Sequence, residues 1–217
     1  MNNVLKAAKL DFSLVKPYAL NIVFALLFPI ACTLFNRSLI NGVSFAMCFI
    51  GMTASYAFTI SEKNGMERLY GILPVSRKQM VIGRYLYTCA MGLSALLISL
   101  VAQPIVLSRF LYVYVTKDDI IAAAMTGMIL FTFYTAFLLP GYYKFGSIKG
   151  RVFVFIPVAG YLAILMLVYD YRLDSGAKIL EIFSDPVMFI TVTPLICVTV
   201  LALSITLSVK ILQNKDV

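Results

Sequence analysis

The chain has 217 residues, 61% of them hydrophobic and 13% charged, with a mean hydropathy of +0.93. A water-soluble globule, which carries about 25% charged residues, is excluded. The net charge of +8 sits in short connections beside apolar runs, where it faces anionic lipid rather than nucleic acid.

Charged residues leave six charge-free gaps, 17–36, 38–61, 85–108, 120–143, 152–169 and 186–209, each 18 to 24 residues long. An α-helix needs roughly 20 residues to cross about 30 Å of hydrocarbon. Continuous apolar runs of this length also argue against a transmembrane barrel, whose strands alternate over about 10 residues. The fold class expected is an all-α integral membrane protein. It has an N-terminal amphipathic interfacial helix over 1–16 and one domain over 17–217, with spans near 18–35, 39–60, 81–107, 120–140, 152–169 and 187–209.

In residues 1–16, Leu5, Ala8, Phe12 and Val15 recur at helical spacing, while Lys6, Lys9, Ser13 and Lys16 share another face. This is the pattern of a helix lying on a membrane surface. The charged start and the full-length first apolar run do not read as a cleaved signal peptide. Only Asn36-Arg37-Ser38 joins the first two spans, so they form an antiparallel hairpin. The second span carries Ser44, Cys48, Gly51, Ser55 and Thr59 at spacings of three or four, a face of small residues suited to close packing in lipid or to a substrate path. Gln103-Pro104 and Pro157 mark bends, and Ser55, Thr59, Gln103 and Pro157 are the candidate substrate-path residues. Tyr18, Tyr85, Tyr87, Tyr112, Tyr114, Tyr142, Tyr143, Tyr169 and Tyr171 fall at span ends and predict an interfacial tyrosine belt. Residues 177–183 suggest a short outer helix, and Pro186 the first turn of the last span.

Thirteen of the 18 Lys and Arg residues fall on the side of the two termini. Retained positive charge marks the cytoplasmic side, so both termini are expected there. Cys32, Cys48, Cys89 and Cys197 lie within spans without paired spacing and read as small core residues. The chain has no histidine, which removes imidazole catalysis and His-ligated metals. It carries no Gly-x-x-x-x-Gly-Lys-Ser/Thr phosphate loop. No Asp, Glu, Lys or Arg lies inside the charge-free gaps to serve an ion-driven transporter or to activate a nucleophile. No catalytic, metal or cofactor residue is assigned.

The most informative segment is the charged island Glu62–Lys78. Its plainest reading is a solvated loop on the positive side of the membrane. The mixture of Glu62 and Glu67 with bases, and a length beyond what a turn needs, favours a docking segment. Pro74 interrupts a helix expected from Ser61 to about Ile72. Ser76 then restarts one, with Gln79 at the reciprocal capping-box position and Val75 and Met80 placed as a hydrophobic staple.

Glu62 through Gly71, Leu73-Pro74-Val75-Ser76-Arg77 and the following Val81, Gly83, Tyr85 and Leu86 resemble the segment between the second and third helices of ABC-2 type permeases. Those permeases are the membrane subunits of bacterial ATP-binding cassette exporters. Leu139-Pro140-Gly141-Tyr142-Tyr143-Lys144-Phe145-Gly146, with Lys149-Gly150-Arg151, is similar to a stretch of one small six-helix branch, although Gly141 stands where a bulkier residue is expected. The resemblance implies a coupling helix in which Glu62, Lys63, Glu67, Arg68 and Leu69 contact a separate ATPase subunit, with Tyr70, Leu73 and Pro74 transmitting movement. Tyr143, Lys144 and Lys149 form a second contact. It implies ATP and Mg in the partner ATPase and none in this chain. It also implies a homodimer, or a pair with a similar permease, in the bacterial cytoplasmic membrane. The spans offer no fixed charge, so the substrate is expected to be amphipathic or hydrophobic, with an amphipathic or antimicrobial peptide first. A non-transporting scaffold or sensor subunit and an ion-coupled secondary transporter are the rival readings.

Overall fold

A computed structural model describes residues 3–65, 75–150, 152–153, 155 and 186–214. Among the described residues it is all helical: α1 Asn3–Val15, α2 Ala19–Asn36, α3 Leu39–Lys63, α4 Arg77–Phe110, α5 Lys117–Lys149 and α6 Pro186–Gln213. A 3-10 turn over Lys16–Tyr18, with Pro17 inside it, joins α1 to α2. Among the described residues, five helices are long and apolar enough to cross a membrane. Beyond residues 152, 153 and 155, the span expected at 152–169 lies outside the described residues, as do Pro157 and the outer helix at 177–183.

α3 is the central helix. It packs most extensively on α5, and α2 and α4 also lie against it, while α6 closes the far side of α5. Arg37, in left-handed backbone at φ 50°, ends α2 and turns the chain into the α2–α3 hairpin. The core divides into two levels. One gathers Val43, Met47, Ile50, Leu96 and Leu107 towards the Arg37 end. The other gathers Phe58, Tyr85, Tyr134, Leu138 and Tyr142 towards the Lys63 end. Many outward side chains are large and apolar, among them Leu20, Phe24, Leu97, Val101 and Leu203, as lipid-facing surface requires.

One sequence expectation needs correction here. The tyrosine belt is smaller than predicted, because Tyr85, Tyr87, Tyr142 and Tyr143 are buried, whereas Tyr18, Tyr112 and Tyr114 are exposed. Four rings placed by sequence position at the membrane edge instead fill gaps between helices, and Tyr85 binds Ser204 and Ser208 of α6 at 2.6 and 2.8 Å. Leu5 and Phe12, on the apolar face of α1, point outward, and the one acid of that helix turns inward. Leu5 and Phe12 are 52% and 58% exposed, while Asp11 is 3% exposed. At Gly83 an added Cβ would lie 3.0 Å from the Val4 carbonyl oxygen, so the backbone of α1 rests directly on α4 and aims Asp11 inward. Beyond Gly65 the helix expected from Ser61 to about Ile72 lies outside the described residues, and the end of α3 is its start. α3 stops at Lys63, and Asn64 and Gly65 turn away, with Gly65 at φ 59°, a conformation that glycine adopts at little cost.

Candidate functional site

The charged cluster of the described structure lies at the Lys63 end, at the two roots of segment 66–74. From α4, Arg84 donates through Nε and Nη2 to Asp11 Oδ2 and Oδ1, both at 3.1 Å, and through Nη2 to Ser61 Oγ, also at 3.1 Å. Its guanidinium carbon stands 4.3 Å from the Phe58 ring centre and 6.0 Å from that of Tyr143. A guanidinium is planar and weakly hydrated, so it tolerates enclosure between a bidentate carboxylate and aromatic faces better than an ammonium would. Three helices, α1, α3 and α4, are thus joined through one side chain.

One residue past Ser61, the exposed Glu62 accepts the Ser147 backbone N–H at 2.6 Å. That amide is available because α5 breaks at Gly146, whose φ of 76° and ψ of −177° lie outside the helical region. Residues without glycine's freedom rarely adopt such a backbone. The short helix that restarts at Ser147 has orphan N–H groups at its start, and the Glu62 carboxylate caps one of them. On the other root, Ser76 and Gln79 form the expected capping box at the start of α4. Arg77 reaches across to the Leu212 carbonyl oxygen near the end of α6 at 3.3 Å. A cavity of about 140 Å³ lies between these groups, lined by Arg84, Glu62, Tyr143, Ser147, Met80 and Leu212 among others.

The predicted site residues divide accordingly. Glu62 is held inside the chain, and Lys63 lines an open cleft. Glu67, Arg68, Leu69, Tyr70, Leu73 and Pro74 lie outside the described residues. Lys144 and Lys149 are exposed beside the Gly146 break. Tyr143 points inward, edge-on to Phe58 at 4.9 Å, which corrects its assignment as a surface contact. Gly141, the departure from the branch pattern, has a local reason: an added Cβ there would come within 2.6 Å of the Phe153 ring.

Among the substrate-path candidates, Ser55 and Thr59 border a cleft, but their hydroxyls donate to the Met52 and Ser55 carbonyls of their own helix at 2.6 and 3.1 Å. The rest of the small-residue face serves packing, since Gly51 faces the Tyr134 ring. Gln103 is fully buried and approaches Gly42 of α3. Asp11, Ser61 and Arg84 are the residues that sequence reasoning missed. The available signal was a lone acid among lysines on α1 and an arginine carried two turns into an apolar helix, each of which calls for a partner.

An α-helical bundle with several lipid-length spans and a charged joint at one end defines a multi-pass membrane protein. The chain belongs to the ABC-2 family of transporter proteins, whose family pattern matches residues 8–213. In comparisons with curated proteins and with solved structures, nothing matched.

Proposed function

We propose that this chain is the permease subunit of an ABC exporter, in which segment Glu62–Pro74 receives movement from a separate ATPase subunit. The observation that carries this reading is the fastening of both roots of that segment. Ser61 and Glu62 on one root are bound to Arg84 and Ser147, and Arg77 on the other is bound to α6. A push on the segment is therefore delivered to α1, α5 and α6 as well as to its own two helices. Glu62 then acts as an internal fastening and Lys63 lines the neighbouring cleft, while Glu67, Arg68 and Leu69 face the ATPase. Lys144 and Lys149 are joined to the same platform through the Glu62–Ser147 bond.

In this reading the domain spans 17–217, 152–169 is a sixth membrane span, α1 lies at the interface and both termini are cytoplasmic in a bacterial cytoplasmic membrane. Two permeases, identical or similar, work with two ATPase subunits that hold ATP and Mg. The substrate is amphipathic or hydrophobic, with an amphipathic peptide favoured because the spans offer aromatic, Met and apolar surface without fixed charge. The test is co-purification with the ATPase. Deleting Lys63 to Leu69, or Glu67→Arg, should abolish the association and the transport-linked ATP hydrolysis. Transport by the purified chain alone under a proton gradient would refute the reading, and an ATPase-free chain that moves nothing would favour the scaffold.

A further inference from the structure

Three adjoining hollows along the α2–α3 face share their walls. The first, about 350 Å³, opens at the Lys63 end between Ser13, Tyr18, Lys63 and Asn64. The second, about 390 Å³, shares Tyr18, Ile60 and Lys63 with it and continues past Ser55 and Thr59. The third, about 280 Å³, shares Met52, Ser55 and Tyr56 with the second and ends against Asn21, Phe24 and Phe49. Tyr18 and Tyr56, stacked at 5.6 Å, form one wall.

We infer that this groove holds an anionic phospholipid of the leaflet at the Lys63 end, its phosphate at Lys63 and an acyl chain running towards Phe24 and Phe49. Three observations select that occupant. The mouth is cationic: Lys63 shares this end with exposed Lys6, Lys9 and Lys16, while Asp11 is held by Arg84 and Glu62 accepts Ser147 N–H. Among the described residues no carboxylate forms an ion pair with Lys63. The length also fits. From Lys63 to Phe49 the helix rises about 21 Å at 1.5 Å per residue, which is about half of a bilayer of 40–45 Å including headgroups. Above the mouth the hydroxyls of Thr53, Ser55 and Thr59 are turned onto carbonyls of their own helix, which leaves few side-chain hydrogen-bonding groups on the walls, Asn21 and Tyr56 among them. A peptide backbone in that stretch would leave most of its N–H groups unsatisfied, whereas an acyl chain needs no partners. The site stands independently of the transport reading.

The test uses the full-length chain in two measurements. In native mass spectrometry, phosphatidylglycerol should be retained in preference to phosphatidylcholine of the same acyl chains. Lys63→Gln should weaken the first roughly fivefold, the equivalent of about 1 kcal/mol for one Lys near an anionic surface, and leave the second unchanged. Inorganic phosphate should not displace the lipid, whereas lysophosphatidylglycerol should. In vesicles mixing both lipids, a benzoylphenylalanine photocrosslinker replacing Ser55 should capture phosphatidylglycerol. Equal retention of the two lipids with no response to Lys63→Gln, displacement by phosphate alone, or crosslinks only to this chain's own residues or to a bound peptide would each overturn the assignment.

Discussion

Arg84 of α4 grips both carboxylate oxygens of Asp11 of α1, with both bonds at 3.1 Å and both side chains more than nine-tenths enclosed. Two charges withdrawn from water gain little over a well-packed apolar pair, but removing one of them strands the other. We expect Asp11→Asn to cost about 3–5 kcal/mol of stability, and the double substitution Asp11→Leu with Arg84→Met to recover most of it. Thermal unfolding of the detergent-solubilised chain measures both. If Asp11→Asn unfolds at the wild-type temperature, the pair does not hold α1 in place.

Gly83 stands beside that pair, and its missing side chain lets the two helices touch. A Cβ there would come 2.6 Å from the Ala7 Cβ and 3.0 Å from the Val4 carbonyl oxygen, contacts that backbone cannot yield cheaply in a close-packed joint. Gly83→Ala should therefore push α1 away from α4 and cost about 1–3 kcal/mol by overpacking. The expected signature is faster hydrogen exchange over residues 3–15, with α3 and α5 unchanged. Uniform protection equal to wild type would show that α1 adapts freely.

The Glu62–Ser147 bond makes a more local prediction. Glu62→Ala removes the cap from the helix that restarts after Gly146, at about 1 kcal/mol. Gly146→Ala forces a side chain into φ 76° and should cost about 1–3 kcal/mol. Each should speed exchange of the amides following Ser147, and Glu62→Gln, which keeps an acceptor, should restore much of the protection. An effect of Glu62→Ala on ATPase binding without any change in these amides would place Glu62 in the partner interface instead.

How much of this was legible in the sequence depends on the range of the interaction. The helices, the short α2–α3 turn, the Ser76–Gln79 capping box and the Pro186 start depend on neighbours within a few residues, and they read directly from charge spacing and cap chemistry. The family-like segments were legible for the same reason. The Arg84–Asp11 pair spans 73 residues and the Glu62–Ser147 bond 85, so neither leaves a local pattern. The tyrosines misled because interface position and core position look alike until the neighbouring helix is known. Tyr85 meets serines 119 and 123 residues away.

That tyrosine supplies a further test. Its hydroxyl lies 2.6 Å from Ser204 Oγ and 2.8 Å from Ser208 Oγ, and Ser204 also donates to the Ala136 carbonyl oxygen at 3.0 Å. The trio ties α4, α5 and α6 where lipid offers no competing water. Interhelical hydrogen bonds of this sort contribute about 0.6 kcal/mol on average in membrane proteins. Tyr85→Phe should therefore destabilise by about 0.5–1.5 kcal/mol. Ser204→Ala in the Tyr85→Phe background should add less than it does alone, and strict additivity in this double-mutant cycle would deny the coupling.

The start of α5 gives the pH dependence. Thr116 donates its backbone N–H and its hydroxyl to Asp119 Oδ2 at 2.9 and 2.7 Å, while the Asp119 N–H donates to the Thr116 hydroxyl at 3.2 Å. These bonds favour the ionised carboxylate and lower the Asp119 pKa, with the Thr116 backbone N–H the largest cause. A carboxylate whose folded-state pKa is below its unfolded value adds its full stability above the ordinary carboxylate range, near pH 4, and loses it as the pH falls through the lowered value. Acidification should thus fray the first turn of α5, seen as faster exchange at Asp119 and Ile120 once the intrinsic pH effect is divided out. Asp119→Asn should remove that pH response, because no carboxylate remains to titrate. A response that persists in Asp119→Asn would assign it to another group.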